Sequence, residues 1–268
     1  MKPSSHSLEV VASGAAAVAP PRAFYRDEAD AVRYKRLTLG YLLAMYGLLG
    51  LAMAGLAPVW LLFVLVPPLY VRSALSAHEL MHVCPAGRVS FFHRLMMVLE
   101  TPVGLGYREH RDIHVRHHRN PATERDPEFF QIRGSHLRAL ASSMVSPEWA
   151  LLRYLREKRL TRPWMAEAAV RAAVFGCLAR LDPVVFLAYW ITLRASLGVS
   201  SFLFHHSLHY RAGRYGTFRL EPSPPVDRVL RALLGAESVL ILYEHPTHHA
   251  WLQVKARRLP DIPGAIAL

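Results

Sequence analysis

The sequence predicts an all-α integral membrane protein, with two transmembrane helical hairpins (four spans) and a helical cap on one side. Two observations predict this fold: long apolar runs without charge, and twelve of the fifteen histidines gathered in four clusters outside those runs. Hydrophobic residues make up 52% of the 268 residues, although 32 are Lys or Arg. Apolar and basic residues must therefore be segregated along the chain, as in a membrane protein with basic flanks.

The first predicted hairpin has spans at about residues 37–56 and 59–75. Its first segment, LTLGYLLAMYGLLGLAMAGL, has no charged residue, and this length matches the hydrocarbon thickness of a bilayer. The second segment is interrupted by Pro67-Pro68. The basic residues that flank the hairpin are Lys35, Arg36 and Arg72. By the positive-inside rule, both ends of the hairpin lie in the cytoplasm.

The second predicted hairpin has spans at about residues 165–181 and 183–204, with a turn at Leu181-Asp182-Pro183. Its signal is weaker because three charged residues lie inside it, namely Glu167, Arg171 and Arg194. The segment between the hairpins alternates apolar and basic residues and cannot span a membrane. We predict that it is cytoplasmic and that its helices, at residues 89–99 and 136–155, lie partly at the interface.

The predicted organisation is a single membrane domain over residues 31–268, preceded by a flexible arm. Residues 1–30 are rich in Ala, Ser and Pro and have no helical stripe, which predicts the arm. Residues 205–268 are predicted to be cytoplasmic. All four histidine clusters and both termini are then on the cytoplasmic side of an inner or plasma membrane, in a bacterium-like cell.

The composition excludes several classes of partner and cofactor. The net charge of +12 is not accompanied by a zinc-finger, helix-turn-helix or RNA-binding signature, so no nucleic-acid partner is predicted. Anionic lipid headgroups or an acidic electron-donor protein account better for the excess charge. Two distant cysteines exclude a disulfide framework and a four-cysteine iron–sulfur cluster within the chain. Without a dinucleotide fingerprint, any redox chemistry needs electrons from another protein.

The histidine clusters have the spacing of metal-ligating helices. Their members are His78 and His82; His110, His114, His117 and His118; His205, His206 and His209; and His245, His248 and His249. Spacings of three and four residues place imidazoles on one helical face, and neutral imidazole is a ligand for iron, zinc and copper. Because one ion cannot use so many imidazoles, the sequence predicts a two-metal site in the cytoplasmic cap. The isolated His6, His93 and His136 are predicted to be ordinary surface or core residues.

Two other functions are compatible with part of this pattern. The segment His78-Glu79-Leu80-Met81-His82 has the HExxH pattern of zinc metalloproteases, in which the glutamate is the general base. A membrane protease would leave the other three clusters unexplained. A metal transporter or sensor would instead have its ligands distributed through the membrane spans.

The four motifs HELMH, HVRHH, HHSLH and HPTHH, together with the two hairpins, resemble the membrane fatty acid desaturase and hydroxylase family. The segment HVRHHRNPATERDPE resembles the second histidine box of that family, including the pair Asp126-Pro127. The segment HHAWLQVKARRLP, from His248, resembles the third box and its tail. The resemblance covers about residues 35–262. Leu252 and Lys255 depart from it, since the family tail often has prolines there.

The resemblance implies four transmembrane helices and a cytoplasmic cap with a histidine-ligated di-iron site. By position, the implied ligands and catalytic residues are His78, His82, His114, His117, His118, His209, His245, His248 and His249. His205 takes the place of an asparagine of the family and could add direct coordination. His110 could add a ligand or hydrogen-bond to one, and His206 is a further candidate. Four carboxylates flank the ligands and could orient imidazoles or pair with nearby arginines, namely Glu79, Glu109, Asp112 and Glu244.

The activity implied by the resemblance is oxygen-dependent oxidation of C–H bonds in a long apolar chain. Introduction of a double bond into a fatty acyl chain is the first expectation. Hydroxylation or ketolation of a carotenoid, or alkane hydroxylation, stays open because histidine boxes do not identify the substrate. The implied cofactors are two iron ions, with dioxygen as co-substrate. The implied partners are a lipid or acyl substrate and an electron donor of the ferredoxin, cytochrome or reductase type.

Overall fold

The computed structural model describes residues 19–83, 89–157 and 161–262. These residues form mainly α-helices, with one short β-hairpin. The helices are α1 (Glu28–Met53), α2 (Trp60–Val83), α3 (Phe91–Glu100), α4 (Tyr107–Arg119), α5 (Phe129–Ile132), α6 (His136–Met144), α7 (Ser146–Glu157), α8 (Arg162–Leu181), α9 (Pro183–Ser201), α10 (Pro224–Leu234), α11 (Leu240–Tyr243) and α12 (His245–Ala250). The antiparallel hairpin consists of β1 (Tyr210–Arg211) and β2 (Arg214–Tyr215).

Helices α1 and α2 form the first predicted hairpin, and both are longer than expected. The α1 helix begins well before Leu37, because Asp27 and Asp30 form a reciprocal capping box at its N-terminus. The α2 helix continues through Pro67 and Pro68 rather than being interrupted there. It then runs to Val83, so the first histidine cluster lies on the same continuous helix as the span.

Three helical segments of the described residues are long and apolar enough to cross a membrane. They are Glu28–Met53, Trp60–Val83 and Pro183–Ser207. The fourth predicted span, residues 165–181, does form most of α8, but its charged residues keep it out of this set. The turn between α8 and α9 is where the sequence predicts it, since Asp182 caps α9 by accepting from the backbone N–H groups of Val184 and Val185.

Two charged residues of the second predicted hairpin have partners in the segment between the two hairpins. Arg171 is buried and donates to the carbonyl oxygens of Gly104 (2.6 Å) and Met97 (2.7 Å). Arg194 pairs with Glu148 of α7 at 2.6 Å, and α9 continues beyond it. Burying these guanidinium groups is tolerable because each has hydrogen-bond acceptors. The same contacts hold α7 and the α3–α4 connection against the second hairpin.

The main core lies between α1, α2 and α9. Its fully buried side chains include Leu42, Met45, Leu49, Leu62, Val66 and Tyr189. Large apolar side chains also cover the outside of the same helices, including Leu43, Leu51, Phe63, Val64, Leu187 and Ile191. Helices that are apolar on all sides are typical of a membrane bundle, in which the outer face meets lipid.

The predicted flexible arm is structured in its last part. Residues 1–18 of that arm lie outside the described residues. Arg22–Phe24 form a 3₁₀ turn, Tyr25 makes a β-bridge with Val254, and α1 begins at Glu28. These residues have partners far away in the sequence, which a local composition argument does not detect.

Gly198 marks a close crossing of α9 and α6. A Cβ atom at this position would overlap the Met144 Sδ atom and lie 3.2 Å from the Met144 Cα atom. Because that backbone must also shift, we expect Gly198→Ala to destabilise the protein by about 1–3 kcal/mol, as overpacking does in other cores. Unfolding in detergent measures this change. Gly176→Ala in α8 is the control.

Gly176 has no atom within 4 Å of the position of an added Cβ atom. Alanine there should be neutral, or should stabilise the helix by about 0.5–1 kcal/mol. A Gly198→Ala protein that unfolds at the same midpoint as the wild type would contradict the close crossing.

Candidate metal centre

Nine histidine rings from four separate segments converge at one end of the helical bundle. The rings belong to His78, His82, His114, His117, His118, His209, His245, His248 and His249. They come from α2, α4, the segment after α9, and α12. The contacts are close: the Nε2 atoms of His82 and His114 lie 3.1 Å apart, and those of His209 and His245 lie 3.0 Å apart. The histidines assigned to the ligand set from the sequence are therefore brought together.

The rings divide into two groups. Ring nitrogens of His78, His82, His118 and His248 all lie within 4.8 Å of one another, as do those of His117, His209 and His249. His114 joins the first group through its Nε2 atom, 3.0 Å from that of His118, and His245 joins the second through His209. The first histidine group is thus His78, His82, His114, His118 and His248. The second histidine group is His117, His209, His245 and His249.

Two helices contribute rings to both groups. On α4, His114 and His118 are one turn apart and belong to the first group, whereas His117 faces the second. On α12, His248 belongs to the first group, whereas His249 belongs to the second. Neighbouring residues on an α-helix differ by about 100° in direction. The HxxHH spacing therefore lets one short helix contact two adjacent metal positions.

Hydrogen bonds at the Nδ1 atom orient two of these imidazoles. The Nδ1 atom of His117 lies 2.8 Å from Asp126 Oδ2, and that carboxylate also accepts from the N–H groups of Ala122 and Glu128. The Nδ1 atom of His209 lies 2.8 Å from the carbonyl oxygen of Gly216. Each contact leaves the Nε2 atom free to face the second group, as in other histidine metal sites.

The four carboxylates singled out in the sequence have different positions. Glu79 lies beside a ring of the first group, with Oε1 3.4 Å from His78 Nδ1. Asp112 and Glu244 pair instead with Arg116 (3.4 Å) and Arg219 (2.9 Å), and Glu109 lies near Glu167. The orienting role of Asp126 is not among those predicted from the sequence. The sequence feature that could have indicated this role is the pair Asp126-Pro127, which follows the second histidine box.

Three further candidate histidines lie outside both groups. His206 is buried, but its two ring nitrogens contact the Ile132 carbonyl oxygen (2.7 Å) and His136 Nδ1 (2.8 Å), which leaves none for a metal ion. The π-helical turn Phe202–Ser207 turns it away from the groups. His205 contacts Glu128 Oε2 (3.2 Å) and the Ser201 carbonyl oxygen (3.0 Å).

His110, the third of these residues, lines the cavity beside the groups. No ring nitrogen of His110 belongs to the sets of metal-ligating atoms found among the described residues. The ligand role considered for His110 and His206, and the direct coordination considered for His205, therefore have no support in this arrangement.

The electrostatics of the rings favour metal binding. Burial, reinforced by neighbouring imidazoles, holds the pKa well below that of a free imidazole at His114, His118, His245, His248 and His249. Neutral rings keep a lone pair for a metal ion. Both ring nitrogens of His248 and the Nε2 atom of His249 are buried without a hydrogen-bond partner in the described part of the chain. Such atoms are costly unless they bind something, so this donor set fits two transition-metal ions.

A cavity opens beside the two groups. Its wall includes rings from both groups, and its apolar part is formed by Leu75, Met81, Met97, Ile113, Leu197 and Phe204. Polar residues also line it, among them Glu100, Thr101 and Gln131. The cavity therefore places apolar surface and metal-ligating rings side by side.

The geometry disfavours the protease and transporter alternatives. A metalloprotease needs the HExxH glutamate as a free general base, but Glu79 is buried and its Oε2 atom lies 2.5 Å from Arg26 Nη2. The other histidine clusters also lie in the same centre, which a single zinc site does not require. A transporter would distribute its ligands along the spans, whereas these rings gather beyond one end of the bundle.

Apolar helices that lead to two groups of histidine rings are the arrangement expected of a histidine-box membrane protein. In agreement with this, the sequence profile of the family described as "Fatty acid desaturase" matches residues 54–266, which is most of the chain. The chain therefore belongs to the fatty acid desaturase family, as the histidine motifs predicted. That membership makes it an oxidoreductase of the desaturase or hydroxylase type, with a lipid substrate and membrane association. No curated protein and no solved structure matches it significantly.

Proposed function

We propose that this protein is an oxygen-dependent di-iron desaturase that introduces a double bond into a fatty acyl chain. One observation carries the proposal: two groups of histidine rings share the wall of one cavity with apolar side chains. A C–H bond of an apolar chain in that cavity would lie next to the metal positions. Family membership supports the class of reaction.

The side chains around the cavity have distinct roles in this proposal. The first and second histidine groups would each hold one iron ion, and the pair would supply the activation of dioxygen needed to oxidise an unactivated C–H bond. Leu197, Ile113 and Phe204 would hold one methylene of the substrate in place and exclude water. Within the second group, Asp126 orients the ring of His117 and the Gly216 carbonyl orients that of His209.

The membrane arrangement is part of the same proposal. With α8 as a fourth span, the turns of both hairpins lie at one end of the bundle and the metal centre at the other. The basic residues near that end support a cytoplasmic position for it, in a bacterium-like cell, by the positive-inside rule. Electrons would arrive from a ferredoxin, cytochrome or reductase that docks on the cationic cytoplasmic surface.

A second reaction, hydroxylation or ketolation, is favoured by the polar part of the cavity. Thr101 Oγ1 and Gln131 Oε1 are buried in its wall without a hydrogen-bond partner among the described residues. Such atoms suit a substrate that carries a polar group, such as a carotenoid ring, better than a plain alkyl chain.

Metal and product analysis of the same preparation tests the proposal. The full chain is purified in detergent, its iron and zinc are measured, and it is incubated with a reductase, dioxygen and a lipid extract. We expect about two iron ions per chain, as the two groups require, and a product that has lost two hydrogen atoms. A product that has gained oxygen would establish the second reaction instead. One zinc ion per chain with no oxidised lipid would overturn both.

A further inference from the structure

We propose that Arg26 is a positioning residue of the metal centre and acts on the first histidine group through Glu79 and His78. It lies in the segment Arg22–Asp30, named here the N-terminal clasp, which is separated from Glu79 by a whole helical hairpin. This inference rests on the proposed two-metal site. It adds a residue to which neither the histidine motifs nor the family match gives a role.

Arg26 and Glu79 form a buried ion pair with two hydrogen bonds. The Nε and Nη2 atoms of Arg26 lie 3.1 and 2.5 Å from the same oxygen, Glu79 Oε2. The two side chains are 0% and 1% exposed. A carboxylate buried this deeply needs a partner charge and hydrogen bonds, and Arg26 supplies both.

The second oxygen of Glu79 faces a metal-ligating ring. Glu79 Oε1 lies 3.4 Å from His78 Nδ1, and neither atom has a hydrogen-bond partner among the described residues. Arg26 binds only the other oxygen, so Oε1 stays directed at the ring. When a carboxylate faces one nitrogen of an imidazole, it fixes the ring orientation and strengthens the other nitrogen as a ligand.

Arg26 also connects this ring to the other end of the chain. Its Nη1 group donates to the carbonyl oxygen of Leu252, which closely follows His248 and His249. Backbone hydrogen bonds reinforce the contact: Arg26 N–H donates to Gln253 O at 2.8 Å, and Lys255 N–H donates to Phe24 O at 2.9 Å. The side chain of Arg26 thus contacts two parts of the chain. One is the α2 helix, which carries His78, and the other is the segment that directly follows α12, the helix that carries His248.

The remaining contacts of the clasp keep Arg26 in place. Lys255 Nζ lies 2.9 Å from Asp27 Oδ2 and 3.1 Å from Asp30 Oδ2, at the start of α1. The clasp is therefore tied to the C-terminal segment by two ion pairs in addition to the backbone hydrogen bonds. This rigid attachment is what a positioning residue needs.

Metal binding by the purified full chain tests the inference without relying on activity. Arg26→Met and Arg26→Lys are titrated with Co²⁺ after removal of metal, and the affinity of each site is measured by competition with a chelator. We expect wild-type protein to bind two Co²⁺ ions. Arg26→Met should lose on the order of tenfold in affinity at one site and little at the other, which is the usual effect of removing a contact behind a ligand. Arg26→Lys should recover part of that affinity.

The control is Arg33→Met, which removes a more exposed ion pair with Glu237 from the same N-terminal region. It should bind both ions like the wild type. Should Arg26→Met prevent folding, Glu79→Gln with Arg26 intact measures the same linkage and should weaken the same site. The melting temperature of each metal-free variant is recorded alongside.

The possible results are distinguishable. If Arg26→Met and Glu79→Gln bind both ions with wild-type affinity, the positioning role is wrong although the proposed function stands. Equal weakening of both sites together with a lower melting temperature of the metal-free protein would show that Arg26 only stabilises the fold. A wild-type protein that does not bind two ions would overturn the proposed function itself.

Discussion

Alanine at His248 or at His209 is expected to abolish oxidation of the lipid substrate and to remove one of two bound metal ions. These residues belong to different histidine groups, and both are fully buried within the centre. In the proposed reaction both ions act together, so losing either one should reduce turnover by at least about 1,000-fold. Losses of this size are usual when one member of a group of catalytic residues that act as a unit is removed. Iron per chain and the rate of product formation measure the two effects.

His136→Gln is the matched control for these variants. His136 is exposed and contacts His206 rather than either group. It should retain both ions and most of the activity. If His209→Ala kept two ions and wild-type turnover, His209 would not be a metal ligand, and its place in the second histidine group would be wrong.

The substitution Asp126→Asn should weaken metal binding at the second histidine group by roughly 100-fold. This is the upper end of the loss in metal affinity that follows removal of a residue that orients a ligand. The carboxylate is fully buried and accepts from His117 Nδ1 and from two backbone N–H groups. An amide has one acceptor oxygen instead of two, so one of these donors loses its partner or meets an N–H group. The metal-free protein should also lose about 1–3 kcal/mol of stability, the usual cost of an unpaired buried donor.

Titration with Co²⁺ and chemical unfolding of the metal-free protein measure these two losses separately. Asp112→Asn is the control, since Asp112 is on the same helix as His117 but pairs with the partly exposed Arg116. It should change neither quantity appreciably. Wild-type affinity at both sites in the Asp126→Asn protein would show that His117 does not need this carboxylate.

The parts of the site that follow from local spacing could be predicted from the sequence. The spacing of His114, His117 and His118 fixes the directions of their rings if the segment is a helix, and this depends on no distant contact. The segment is indeed helical, as part of α4. Likewise, Pro246 is admissible only in a first helical turn, and α12 begins at His245. Apolar length was sufficient to predict three of the four spans, because the lipid phase requires a minimum length of apolar helix.

The parts that depend on contacts between distant segments could not be predicted. Arg26 contacts Glu79 across 53 positions of the chain, and no local pattern indicates which of 32 basic residues does so. Similarly, Asp126 is one of several acidic residues near the ligands, and only the turn after α4 brings it to His117. His206 contacts Ile132 and His136 rather than either histidine group, because the π-helical turn changes the direction of its ring, whereas sequence periodicity assumes a regular α-helix.

The continuity of α2 couples the metal centre to the lipid phase. One unbroken helix runs from Trp60, at the far end of the bundle, to His78 and His82. Such a helix tilts when its apolar length differs from the thickness of the surrounding membrane. Because both rings lie on this helix, a change in its tilt would change the distances between these two rings and the other imidazoles, and we expect those distances to depend on the thickness of the bilayer. Lipids would then act on the candidate metal centre both as substrates and through the thickness of the bilayer.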